Sequence, residues 1–172
     1  MKLEETELIK ILHPSGTLLS HLRSTAALLE QWQAPTPLCK AGLYHAIYGT
    51  GGFPSSLISM GLRGAVAEQL GEITERIVYL YCACDRDSVW PQFGQDKPIQ
   101  FRERFSGKII PVTEYDLTSF CELTAANEVE IAQNNPDFIT RHGAELHKLF
   151  TDMKPYLSMH AIKSTDALFN QK

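Results

Sequence analysis

Six histidines occur in the 172 residues, and two fall where an imidazole could do chemistry. His21 lies three residues after Leu18 and four before Thr25, so on a helix it shares their face. His45 continues a stripe of Leu38, Ala41 and Gly42. Two helices with facing stripes and a short turn between them pack antiparallel, which would bring the rings into one pocket. Two neutral imidazoles there begin a transition-metal site or supply a general acid and base. The plainer alternative is a pair of core histidines bonded to backbone or hydroxyl groups.

Other groups could complete such a pocket. Tyr48-Gly49-Thr50-Gly51-Gly52-Phe53 combines two hydroxyls with glycines that let backbone approach a ligand. No Gly-Lys-Ser/Thr follows, so it is not a phosphate loop of the P-loop type, and an ordinary helix exit explains it equally well. Tyr48 is expected to join the histidines in catalysis, with Thr50 and Asn127 orienting a substrate. Asn127 falls on a stripe with Phe120, Leu123 and Ile131, and an inward amide needs partners. His13 precedes a helix start at Ser15-Gly16-Thr17 that could hold an anion or simply be capped. Asp85, Arg86 and Glu128 complete the expected ligand-binding set. Against it stand a solvated helix end with a local ion pair at Asp85-Arg86-Asp87, and a surface position for Glu128. Arg102 and Arg104 share one strand face, where they blunt an edge or meet an anion. His142 and His147 are five apart, off the spacing of a metal pair, and read with His160 as surface residues.

The elements that must position these groups are mostly helices. Periodicity predicts helices over 4–12, 17–33, 37–48, 62–70 and 72–85, the last with a stripe of Ile73, Ile77, Leu80 and Cys84. A long helix over 114–133 and one or two more over 136–169 follow. Residues 86–98, with Pro91, Gly94 and Pro98, read as a loop. Residues 99–112 alternate apolar and polar around Ser106-Gly107, the signature of a hairpin. The expected fold is all-α with one small β-hairpin insertion, as a single domain over 1–172.

Composition narrows the function classes. Sixteen Lys+Arg against 20 Asp+Glu give a net charge of −4, which argues against a nucleic-acid polymer as partner. No run of about 18 apolar residues exists, which argues against a membrane span. The N-terminal stretch mixes charge into its apolar pattern and lacks a signal-peptide core, which predicts a cytoplasmic protein. Cys39, Cys82, Cys84 and Cys121 form no CxxC pair and sit in apolar surroundings, as buried reduced thiols do.

Residues 17–85 resemble the start of an HD-domain metal-dependent phosphohydrolase, closest in flavour to RelA/SpoT-type pyrophosphohydrolases. His21 and His45 match the family's two histidines in spacing, and Gln69-Leu70-Gly71-Glu72 matches a later helix boundary. The likeness continues more loosely to about residue 132. The HAIYGT segment at 45–50 is also similar to a set of uncharacterised bacterial proteins. The resemblance implies an HD-like helical core, hydrolase-like ancestry and a divalent ion bound by His21 and His45. Two departures matter. Ala46 stands where the family has a metal-binding Asp, and Thr124-Ala125-Ala126-Asn127-Glu128 offers no Asp at the later ligand position. The metal site is thus degenerate. The cofactor expectation is a divalent transition metal (manganese, iron or zinc) or none. The functional expectation is a small-molecule pocket, for a nucleotide or phosphate, around the two histidines. The alternatives are a non-catalytic HD-fold module binding a ligand or protein, and a metal-free or re-ligated enzyme of another class. A homodimer is a further expectation.

Overall fold

Of the stripe Leu18, Leu22, Thr25 and Leu29 expected on the helix over 17–33, the last three are buried and Leu18 is half-buried, and Leu38, Ala41, Gly42 and His45 of the next stripe are all buried. They belong to a computed structural model that describes residues 16–52 and 54–170. The helix expected over 4–12 and His13 lie outside those residues. The described residues form eight α-helices and one two-stranded sheet, an all-α fold with a small hairpin. The chain divides into two compact units, Met1–Ala83 and Cys84–Lys172.

In the first unit, α1 spans Gly16–Gln31 and α2 spans Thr36–Tyr44. The chain leaves α1 through Gln33, at φ 60°. Gln33 N donates to Glu30 O, and Ala34 N donates to Leu29 O. This doubly bonded exit satisfies the last carbonyls, although glycine is the usual residue at its left-handed position. Pro37 then sits in the first turn of α2, where a missing N–H costs nothing. The two helices cross closely at Gly42. A Cβ there would lie 2.8 Å from Leu29 Cδ1 and 3.0 Å from Ala26 Cα.

The sequence pattern carries α2 to residue 48, but the helix stops at Tyr44. Residues 45–48 form a turn instead, closed by Gly49 N donating to Ala46 O with Gly49 at φ 73°. Leu57 N and Ile58 N both donate to Ile47 O, which fastens this turn to the following segment. Helices α3, Arg63–Leu70, and α4, Glu72–Ala83, close the unit. Ile73, expected on the buried stripe of α4, is 55% exposed; the buried face runs instead through Thr74, Ile77, Val78 and Tyr81.

In the second unit, the expected loop over 86–98 contains a short helix, α5, Arg86–Val89, and a 3-10 turn over Trp90–Gln92. The hairpin is present as β1, Phe101–Arg102, antiparallel to β2, Ile109–Ile110, with Phe101 opposite Ile110. Glu103 holds its turn together, accepting hydrogen bonds from Phe105 N, Ser106 N and Ser106 Oγ. Helix α6, Glu114–Asn134, begins with a capping box: Thr113 accepts from Asp116 N, and Asp116 accepts from Thr113 N. Its middle is buried nearly all round, the mark of a core helix and not of a surface one. Helices α7, Pro136–Met153, and α8, Met159–Phe169, pack on it. No helix among the described residues is long and apolar enough to cross a membrane.

Candidate functional site

His21 on α1 and His45 at the end of α2 meet in the first unit. Their ring centroids are 5.2 Å apart at 81°, edge to face. Tyr81 of α4 continues the contact, 5.1 Å from His45 at 82°. His21 is half-buried and His45 is buried. His45 is locked in place. Its Nδ1 lies 2.7 Å from Gly42 O, and a carbonyl can only accept, so the Nδ1 carries the proton. In the neutral ring the lone pair is therefore on Nε2. Cys82 Sγ donates to His45 O at 3.0 Å and pins the backbone as well.

Ala46 decides what this pair can hold. Its methyl is buried with Leu19 and Leu22, and Leu18, Leu43 and Leu57 pack against that cluster. The position at which the HD resemblance would call for a carboxylate ligand is part of the apolar core. Among the described residues, no group of three or more His, Cys, Asp or Glu side chains is placed to hold a metal ion. Two imidazoles beside an aliphatic cluster do not fit the four-ligand HD site, because no negative ligand balances the ion.

Tyr48 stands in a different network. Its hydroxyl donates to Glu75 Oε1 at 3.0 Å. Arg63 forks onto the same carboxylate, Nε to Oε1 at 2.6 Å and Nη2 to Oε2 at 2.8 Å. The guanidinium lies 3.5 Å over the Tyr79 ring, one turn along α4 from Glu75. Burial and the Glu75 carboxylate push the Tyr48 hydroxyl well above the usual tyrosine range. A phenol so held is a tether from the HAIYGT turn to α4, not an acid or base near neutral pH. Thr50 is buried in the same segment. Sequence reasoning missed Glu75 and Arg63. The one available signal was a glutamate on the apolar face of α4, three residues before Val78 and seven before Cys82.

The remaining predicted site residues belong to the second unit. Asp85 pairs with Arg102 at 3.5 Å, and Arg86 with Glu128 at 3.8 Å, so the expected local ion pair within 85–87 is replaced by partners from the hairpin and α6. Glu128 is buried, 5% exposed, not on the surface. Asn127 is buried too and donates to Glu128 Oε1 at 3.1 Å. Glu122 accepts from Ser158 N and Ser158 Oγ, at 2.9 and 2.6 Å. Arg86 and Glu128 also line a cavity of about 230 Å³. A cavity of about 410 Å³ in the first unit is lined by Thr36, Pro37, Lys40 and residues 70–74. All four cysteines are free and buried, as the sequence predicts.

Comparison with known families reaches the first unit. Residues 2–86 match the model of a family described as a domain of unknown function (DUF6817). The match ends within three residues of the boundary between the two compact units. The DUF6817-like segment thus contains both paired histidines, the HAIYGT turn and the Tyr48–Glu75–Arg63 network. No curated protein and no solved structure matches the chain.

Proposed function

We propose that the first unit is an HD-like module that binds a small polar molecule at His21 and His45 without the metal centre of the HD phosphohydrolases. The apposition of the two rings, at 5.2 Å and edge to face, carries this reading. His45 is fixed through Gly42 O, and the half-buried His21 gives the pair a route to solvent. Ala46 in its leucine cluster supports binding over metal-assisted hydrolysis, since the negative ligand such chemistry needs is missing there. The ligand is a small polar molecule, a nucleotide or phosphate being the first candidates. A nucleic-acid polymer and a membrane are not partners in this reading. The net charge of −4 and the free buried thiols suit a cytoplasmic protein.

The test is a titration with inorganic phosphate, the four ribonucleoside monophosphates and a set of polar fragments, following the His21 and His45 imidazole resonances. A saturable shift of both, lost in folded His21→Ala and His45→Ala variants, is the expected result. If nothing in the set shifts either ring, the binding reading fails. In parallel, protein loaded with manganese, iron(II) or zinc and then desalted is expected to retain no stoichiometric metal by plasma mass spectrometry. Retention that vanishes in the double variant would restore a metal centre.

A further inference from the structure

The first unit has a cavity of about 410 Å³ at the start of α4, within the ~300–1,000 Å³ of small-molecule sites. Residues 70–74 line it together with Thr36, Pro37 and Lys40 from the first two turns of α2. The first backbone N–H at this start to bond back is that of Glu75, which donates to Gly71 O at 3.0 Å. The N–H groups of Glu72, Ile73 and Thr74 have no carbonyl of their own helix behind them, and Gly71 has no side chain to cap them. Such a helix start carries a partial positive charge that favours an anion.

Thr74 adds an observation of a different kind. It is 2% exposed and lines the cavity. The buried threonines Thr25, Thr124 and Thr165 each donate to the carbonyl four residues back in their own helix. Thr74 stands in the first turn of α4, and the residue four back, Leu70, ends α3 on the other side of Gly71. Its hydroxyl has no partner among the described residues. Among those residues, the one side-chain nitrogen or oxygen both sealed from the surface and unpartnered is Trp90 Nε1. The Thr74 hydroxyl is therefore not sealed. The little of Thr74 that can be reached includes that hydroxyl, and the cavity it lines is the way in.

The charges on the lining set the kind of anion. Lys40 brings an ammonium group that meets no carboxylate among the described residues, and Glu72 brings a carboxylate. Both are exposed, and their formal charges cancel. The net attraction is then that of the helix start, which suits one negative charge better than the two of a phosphate monoester. Pro37, Leu70 and Ile73 supply apolar surface beside it, with Ile73 55% exposed.

We propose that this cavity binds a small carboxylic acid with a short apolar chain, as its anion. The carboxylate accepts from the Ile73 and Thr74 N–H groups and from the Thr74 hydroxyl, with Lys40 beside it. The chain lies on Pro37, Leu70 and Ile73. The site shares no residue with the histidine pair, so either proposal can fail alone.

The probe is hexanoate, titrated into the isotope-labelled full chain. Saturable shifts of the Glu72, Ile73 and Thr74 amide resonances are expected, with those of residues 80–83 at the far end of α4 unmoved. Hexan-1-ol has the chain without the charge and inorganic phosphate the charge without the chain; both are expected to bind about tenfold more weakly or worse. Thr74→Val removes the hydroxyl and keeps the shape. Because that hydroxyl is bonded to nothing in the chain, the urea midpoint should hold or rise while hexanoate binding weakens severalfold. Lys40→Gln, at an exposed position, should also weaken it severalfold. The proposal is overturned if hexanoate leaves the three amides unmoved, if hexan-1-ol or phosphate matches it, or if both variants bind as the parent does. A lower urea midpoint for Thr74→Val would mean the hydroxyl already has a partner in the chain, and would overturn it as well.

Discussion

Glu75 in the first unit and Glu122 in the second are buried to nearly the same degree, 5% and 4% exposed, but their partners differ in kind. Glu75 faces a bidentate guanidinium and a phenol. Glu122 faces a backbone N–H and a hydroxyl at the start of α8, where Ser158 also caps the helix by accepting from Ala161 N. Glu103 and Asp116 follow the same habit, holding a hairpin turn and a helix start. The first unit thus neutralises its buried carboxylate with a cation, whereas these carboxylates of the second unit are used as caps. Glu128 departs from that habit, since it meets Arg86 and lines a cavity. A buried charge with structural partners explains itself.

The largest effect should come from placing a carboxylate where neither solution exists. Ala46→Asp puts a charge among Leu19, Leu22 and Leu57 and is expected to cost about 3–5 kcal/mol in urea unfolding. A loss below about 1 kcal/mol would mean the leucine cluster yields, and the case against a metal ligand at this position would fall. Next, Glu75→Gln leaves Arg63 without its carboxylate. Because the Arg63 side chain is 34% exposed, the loss should be about 2–3 kcal/mol rather than more. Glu122→Gln keeps an acceptor for Ser158 and should cost about 1 kcal/mol. If the two losses come out reversed, the distinction between cation-paired and cap-forming carboxylates is wrong.

A third expectation concerns pH. Burial pushes the Cys84 thiol up to about 12 from an ordinary value near 9. Between those values the unfolded chain has released this proton and the folded chain still holds it. Stability must therefore be present in full below about pH 9 and fall as pH rises, by at most ~1.4 kcal/mol per pH unit from this group. Cys84→Ala should flatten the fall between pH 9 and 10.5, read as urea midpoints at several pH values. An unchanged slope would assign the fall to other groups. The smallest effect is at the exit of α1. Gln33→Gly relieves a side chain held at φ 60° and is expected to add about 0.5–1 kcal/mol. Destabilisation instead would show that the Gln33 side chain contributes more than its backbone strain costs.

The helices of the first unit were legible because their stripes repeat within a turn or two, and so was the meeting of His21 with His45. The hairpin was legible from alternation around Ser106-Gly107. The extent of α2 was not, because nothing local distinguishes helix from turn at 45–48; the bonds from Leu57 and Ile58 to Ile47 O favour the turn. Glu128 was misplaced on the surface for a related reason. A stripe argument assigns one face of a helix to the core, but α6 is covered on nearly every side, and its acids are buried along with its alanines.

The all-α class, the inward histidines, the apolar setting of the cysteines and the lack of an Asp after His45 can all be read from the chain alone. Each follows from residue type and spacing along one element. Packing between helices is what places Ala46 in a leucine cluster and binds Tyr48 to a carboxylate 27 residues away. Packing also brings Arg86, Trp90 and Glu128 to one cavity wall. Those partners come from different helices, and a hydrogen bond or ion pair between distant residues leaves no periodic trace in the chain.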